Sequence, residues 1–190
     1  MRENDLRVVQ TRRALREALL ALLKTQTLET VSVSALCREA GVSRGAFYLH
    51  FKDVRALFDE QVRQLLLDLE QSYFEPYRHV DVLVPSRLDP STIRMFHHVK
   101  KYQSFYEIVF DRQSPLAYYL ALFEKIKSLI RESASSVPQG KADRRLSVAY
   151  EANAIMGLLL AWSEEGFAAS PSSMNEQLTA ILSKRGRDDS

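Results

Sequence analysis

The chain reads as all-α, a small N-terminal helical domain followed by a larger helical bundle, on three grounds. Only 6 glycines and 6 prolines are spread over 190 residues, so long helices with few tight turns are expected. Apolar residues recur three and four positions apart along most of the chain, which lays them on one face of successive helices. The single alternating run, Val80, Val82 and Val84, is short and unpartnered, and one lone strand is not a stable unit. With 46% hydrophobic and 26% charged residues, the chain has the balance of a water-soluble helical protein, long enough for one good core or two small ones.

Residues 2–9 hold Arg2 and Arg7 without a strong period and are expected to form a flexible arm. From Thr11, the positions Leu15, Ala18, Leu19, Leu22 and Leu23 follow helical spacing and give a first helix of about four turns. Arg12, Arg13 and Arg16 lie off that stripe, where a solvated face is a commoner fate than phosphate contact. Ser32 is placed as an N-cap, and Val33, Leu36, Cys37 and Ala40 form the apolar face of a second, two-turn helix. Gly41 ends it, because the residue past a helix end commonly needs positive φ, and Val42 then drops into the angle between helices. Ser43 caps a third helix in which Phe47 and Phe51 share the core face. At about 100° per residue the opposite face collects Gly45 and Leu49, flanked by Tyr48 and Arg44 on one side and Ala46 and His50 on the other. Little there can build a core. An anchored helix, a glycine turn and a second helix of small, polar and basic residues make a helix-turn-helix, whose second helix fits a major groove about 12 Å wide; a generic αα-hairpin is the alternative.

Lys52 and Asp53 start a fourth helix that runs to about Tyr73 and buries Leu57, Phe58, Val62, Leu65, Leu66 and Leu69. At 1.5 Å per residue it spans about 30 Å. The stretch from Pro76 to Pro90 is the main loop. Asp89-Pro90 then reads as N-cap and first position of a helix through Ile93, Phe96 and Val99. Ser104 and Glu107 form a capping box for a short helix carrying Phe105, Ile108 and Val109. Ser114-Pro115 opens a helix with the stripe Leu116, Leu120, Phe123, Ile126 and Ile130, and a polar loop follows from Ser133 to Asp143. Arg144 to Glu165 is the most apolar helix, hydrophobic nearly all round from Ala152 to Trp162, so it must be covered on more than one side. Ser170-Pro171 starts the last helix, marked by Met174, Leu178, Ile181 and Leu182, and the final residues are expected to fray.

The composition narrows the function. Residues 1–55 hold ten Lys and Arg against six Asp and Glu, a surplus of four, while the rest of the chain is slightly acidic. The positive charge thus sits with the helix-turn-helix, as phosphate contact requires. Ala152 to Trp162 is well short of the ~20 apolar residues a membrane span needs, and the charged N-terminus lacks an apolar signal core, so a cytoplasmic location is expected. Cys37, the single cysteine, has no disulfide or zinc partner and reads as a core residue rather than a redox sensor. His97 and His98 point about 100° apart and do not readily share a metal. No catalytic constellation, phosphate loop or cofactor motif is present, and the adjacent Glu164 and Glu165 sit at a solvated helix end.

AGVSRGAFYLHFKDVRALF resembles the DNA-binding signature of the TetR family of one-component transcriptional regulators, in which AGVS-x-G-x-x-Y-x-HF precedes the next helix. The match runs over roughly Arg12 to Val62, and GLLLAWSEEGF before a Ser-Pro helix start resembles the C-terminal half of one TetR subgroup. The resemblance implies that residues 1–55 bind DNA and residues 56–190 bind an effector and dimerise. Arg44, Gly45, Tyr48, Leu49 and His50 are then expected to face DNA, with Arg44 on a guanine, Tyr48 and His50 on phosphates, and Ser32 and Ser43 offering hydroxyls to phosphates. Leu49, with no core to enter, suits a thymine methyl. The family often has a lysine where this chain has Val54, so Lys52 or Arg55 substitutes for it.

The family's usual release mechanism implies an unidentified small-molecule effector. Segment 96–123 holds eight of the 18 aromatics, and the pocket candidates are Phe96, Tyr102, Tyr106, Tyr119, Phe123 and Trp162 with the polar handles His97 and Asn153. A plain aromatic core is the other reading of that cluster. The fourth helix would be the lever. The two C-terminal helices carry more apolar face than one domain can cover, and two copies packed as a four-helix bundle would bury it, giving a C2 homodimer and a palindromic operator. The reading is thus a repressor; a helical enzyme or adaptor that keeps a helix-turn-helix only as scaffold is the alternative.

Overall fold

The computed structural model describes residues 3–79, 88–112, 114–133 and 143–185, and among them it contains helices and turns without a strand. The chain divides into two compact units, Met1–Leu65 and Leu66–Ser190. Arg2, the alternating valines at 80–84, most of the polar run after Ser133 and the last five residues lie outside the described residues.

The first unit holds α1 (Glu3–Leu23), α2 (Val33–Ala40), α3 (Arg44–Tyr48) and the first half of α4 (Val54–Phe74). Its core is built from Leu15, Leu19, Leu28, Val31, Leu36, Phe47, Phe51, Val54, Leu57 and Phe58. The expected arm is absent: α1 begins at Glu3, eight residues earlier than Thr11. Leu6, Val8 and Val9 are exposed there, so these turns exist without burying a stripe. The stretch holds no glycine or proline, so the helix continues through turns that hydrophobic spacing does not reveal. The caps fall where the sequence puts them. Ser32 Oγ accepts from Ala35 N and Ser43 Oγ from Ala46 N, each at 3.1 Å, and Gly41 takes φ +65° while Val42 N donates to Cys37 O at 3.0 Å. Asp53 caps α4, accepting from Ala56 N at 2.7 Å.

The second unit begins within α4 and adds α5 (Met95–Lys101), α6 (Gln103–Phe110), α7 (Leu116–Ser133), α8 (Arg144–Glu164) and α9 (Pro171–Arg185). Glu75–His79 forms a 3-10 turn where an irregular loop is expected. Asp89 does cap the next segment, but as a 3-10 turn, Pro90–Thr92, that stops before α5. The reason lies in α9: the buried Asn175 amide donates to Pro90 O at 2.9 Å and Ile93 O at 3.1 Å, taking up carbonyls a continuous helix would use itself. The capping box at Ser104 does not form. α6 starts at Gln103, two residues earlier than a Ser104 cap would place it, Tyr102 O accepts from Phe105 N and Tyr106 N, and Gln103 rather than Ser104 bonds Glu107.

In α7 the core face is Leu122, Ile126, Leu129 and Ile130, packed on α8, while Leu116 and Leu120 are exposed. The expected stripe is therefore wrong in its first two turns. α8 is long and apolar enough to cross a membrane by length and composition alone. Within the unit it buries Val148, Ala152, Met156, Leu159 and Trp162, and Leu146, Tyr150, Gly157 and Leu160 on the remaining surface stay exposed. Ser170 caps α9, its Oγ accepting from Ser173 N at 3.1 Å. Between α8 and α9, Gly166 (φ +63°) and Phe167 (φ +55°) follow each other in left-handed conformation, and Phe167 is fully buried against Trp162 at 5.2 Å.

Candidate nucleic-acid interface and effector region

α3 is only five residues long and is held from below by Phe47, which is fully buried 6.0 Å from Phe51. Ala46 is half-buried, and the rest of it looks outward. Leu49, at the C-cap, is 82% exposed, and Arg44, Gly45 and Tyr48 are exposed as well. An added Cβ at Gly45 would meet only Ser43 Oγ, at 3.9 Å, so nothing within the protein requires glycine there. Arg44 does not swing freely: its Nη1 donates to Ser34 Oγ of α2 at 3.1 Å. That contact between the two helices has no local sequence signal. Ser32 and Ser43 use their oxygens as helix caps, which leaves each hydroxyl hydrogen available to a phosphate oxygen. His50 is half-buried with its ring 6.4 Å from Phe51.

Val54 is buried in the first unit, so its position is a packing one in this chain. Of the two candidates for the missing lysine's role, Arg55 is tied to Asp59 at 2.8 Å one turn along α4, and Lys52 is exposed without a carboxylate partner among the described residues. Burial pushes the Cys37 thiol up against the weaker opposing effect of Arg44, and the side chain is buried, which suits a packing residue and not a reactive thiolate. Arg12 and Arg16 are half-buried and do not extend away from the protein; both pair with Glu60 of α4.

The eight pocket candidates do not form one group. Phe96 and Trp162 are buried edge to face at 5.7 Å, and the Trp162 indole donates to Ala169 O at 3.2 Å. Tyr106, Phe110, Tyr119 and Phe123 make a row of successive ring contacts from 6.2 to 6.5 Å along α6 and α7. Tyr102 joins that row through the His98 ring, 4.8 Å away. His97 and Asn153 stand exposed, the Asn153 amide donating to Ala149 O of its own helix at 2.8 Å.

The polar group inside this unit is the other histidine. His98 Nδ1 is 2.6 Å from Asp68 of α4 and Nε2 is 2.9 Å from the Tyr106 hydroxyl. Burial holds its pKa below the ordinary value, with the Asp68 hydrogen bond opposing, so the ring is neutral. The Tyr106 phenol, fully buried, is pushed up and keeps its proton, which it gives to Nε2. Asp68 also accepts from Lys101; burial raises its carboxyl, and the two hydrogen bonds more than offset this. Met95 three residues before His98 shares its face, and that spacing is the signal that distinguishes the buried histidine from its neighbour. A second α4 carboxylate, Glu70, pairs with Lys125 of α7 at 2.5 Å. Among the described residues no group of three His, Cys, Asp or Glu could hold a metal.

Residues 15–60 match the sequence family described as bacterial regulatory proteins, tetR family, and residues 86–184, more than half of the chain, match a transcriptional regulator C-terminal region. An uncharacterised helix-turn-helix transcriptional regulator, YxbF of Bacillus subtilis (strain 168), is 23% identical over 170 residues, covering 90% of this chain and 44% of that protein. The chain therefore spans less than half the length of that relative. The fold is similar to that of the dihydroxyacetone kinase operon activator DhaS, with TM-score 0.59, 16% identity, and 92% and 95% of the two chains covered. It is also similar to that of FadR from Bacillus subtilis, solved with stearoyl-CoA, with TM-score 0.57, 16% identity, and 90% and 96% covered. These relatives are regulators and not enzymes. With its N-terminal helix-turn-helix and its matching C-terminal region, the chain belongs to the TetR family of bacterial regulatory proteins.

Proposed function

We propose that the protein is a repressor that binds a palindromic operator as a homodimer and is released by a small-molecule effector. Residues 1–55 carry the operator contacts and residues 56–190 the effector and dimer functions. The observation that carries this reading is the outward face of α3, where Arg44, Gly45, Tyr48 and Leu49 stand exposed above the buried Phe47. Arg44 reads a guanine, Leu49 meets a thymine methyl, and Gly45 lets the backbone approach. Tyr48, His50, Lys52 and the hydroxyls of Ser32 and Ser43 hold phosphates and set the register. Two copies pair through α8 and α9, covering Leu146, Tyr150, Leu160 and Ile181, which one copy leaves exposed.

The effector lies along the ring row from Tyr102 to Phe123, beside Phe96 and Trp162, and is largely apolar. A fold neighbour solved with stearoyl-CoA is consistent with such a ligand. α4 is the lever, since it carries Glu60 in the first unit and Asp68 and Glu70 in the second. A ligand that prefers the non-binding geometry about 100-fold supplies about 2.7 kcal/mol toward release. The protein acts in the cytoplasm.

The test is a binding titration at about 0.15 M salt, the full chain against duplexes covering the DNA beside its own gene and against scrambled duplexes. Nanomolar binding to a palindromic segment, with scrambled DNA at least a thousandfold weaker, is expected on the order of known specific complexes. Equal affinity for all duplexes would overturn the reading.

A further inference from the structure

Arg12 and Arg16 leave α1 one turn apart and turn inward to a single carboxylate on α4. Arg12 Nη2 stands 2.5 Å from each oxygen of Glu60, and Arg16 Nη2 is 2.9 Å from Oε1. The two arginine side chains are 30% and 32% exposed and Glu60 16%, whereas Arg13, between them in sequence, is 77% exposed and pairs with Glu17 on its own helix. Arg16 Nε is buried without a partner, so its guanidinium is packed and not extended into solvent. The Arg12 guanidinium also lies 4.9 Å from the centroid of the Phe51 ring, and Phe51 packs on Phe47, the anchor of α3. One charged group therefore touches the start of α4 and the far end of the recognition segment at once.

We infer that Arg12 is a positioning residue for operator recognition: through Glu60 and Phe51 it fixes the angle at which α3 is presented, and it contacts no phosphate itself. The inference rests on α3 being the helix that meets DNA. Three hydrogen bonds from two guanidiniums converge on one largely buried carboxylate, Arg12 Nη2 on both oxygens and Arg16 Nη2 on Oε1, and hold a more defined geometry than flexible surface pairs do. The Glu60 carboxyl stays ionised because the hydrogen bonds from Arg12 and Arg16 outweigh the upward push of burial. A tilt of α3 disturbs directional bonds to base edges more than it disturbs contacts to flexible phosphates, because hydrogen bonds weaken steeply with angle.

The experiment uses the full chain and a duplex that the wild-type protein selects from a random-sequence pool, with affinity measured across about 50 to 200 mM salt. A wild-type protein that selects no duplex sinks the α3 reading itself. With a duplex in hand, Arg12→Met and Glu60→Gln are each expected to weaken binding about tenfold and to change base preference, and the double variant to lose no more than the worse single one. The slope of log affinity against log salt stays as in the wild type. Two results overturn the inference: a slope reduced by about 0.9 in Arg12→Met, which is the loss of one phosphate contact, or tighter binding by Glu60→Gln, which would mean that the carboxylate merely neutralises phosphate-binding arginines. Should either variant fail to fold by circular dichroism, Phe51→Leu keeps the apolar anchor, removes the ring under Arg12, and must show the same change of base preference.

Discussion

Gly41 and Gly45, four residues apart, answer to different constraints. Gly41 holds φ +65° in open space, so a methyl group there meets no atom and the cost is purely one of backbone. Gly41→Ala is expected to destabilise the fold by about 1–2 kcal/mol, seen as a lower melting temperature. Gly45 lies inside α3 with ordinary room for a Cβ. Gly45→Ala should therefore raise stability by about 0.5–1 kcal/mol from helix propensity and still weaken operator binding, a pair of opposite signs that thermal melting and a binding titration separate. Arg44→Ala should cost about 1–3 kcal/mol of binding and relax preference at one base pair, whereas Tyr48→Phe should weaken all sequences alike. Selection of bound duplexes by each variant checks both; unchanged preference in Arg44→Ala would remove Arg44 as the base reader.

The joint between α4, α5 and α6 is the Asp68–His98–Tyr106 chain, and it makes stability depend on pH. The unfolded chain takes a proton on this histidine near pH 6.5, but the buried ring accepts one only at lower pH. Between those values the unfolded state binds more protons, so stability falls as pH falls, by up to about 1.4 kcal/mol per pH unit. Urea unfolding from about pH 7.5 to about pH 5.5 should show this loss, and His98→Gln should flatten it; equal slopes in the two proteins would refute the assignment. Such a chain is hard to read from sequence because it joins residues 68, 98 and 106 on three helices. Local chemistry was legible: Ser32, Gly41, Ser43, Asp89 and Ser170 act where their types and neighbours place them. The outward face of α3 was legible too, since two phenylalanines four apart fix which side is buried. What failed depended on contacts between distant segments. Asn175 interrupts the helix after Asp89, Ser104 loses its cap to Tyr102 two residues earlier, and Leu116 and Leu120 find no partner surface.

For the whole molecule, the assembly we propose depends on α8. Its exposed Leu146, Tyr150 and Leu160 are too apolar a face to leave in water, and a second copy covers them in the dimer we propose. Leu160→Glu should then convert the dimer to monomer in sedimentation at micromolar concentration and weaken operator affinity far more than any single phosphate contact, because half of a palindrome is lost. A wild-type chain that sediments as a stable monomer would refute this. Melting temperature should likewise rise with protein concentration in the wild type and be flat in Leu160→Glu.

The two left-handed residues after α8 shape which sequences this chain can drift to. Gly166 admits little but glycine or asparagine at φ +63°, and Phe167 combines an unfavourable φ with a ring that is fully buried. Phe167→Gly relieves backbone strain of about 1–2 kcal/mol but deletes an aromatic side chain whose loss from a core costs about 3–5 kcal/mol. In a saturation library scored by reporter output, this joint should thus be as intolerant as α3 itself. The two would part company once abundance is measured: variants at 166 and 167 disappear from the cell, whereas variants at 44 and 45 accumulate normally and fail to act.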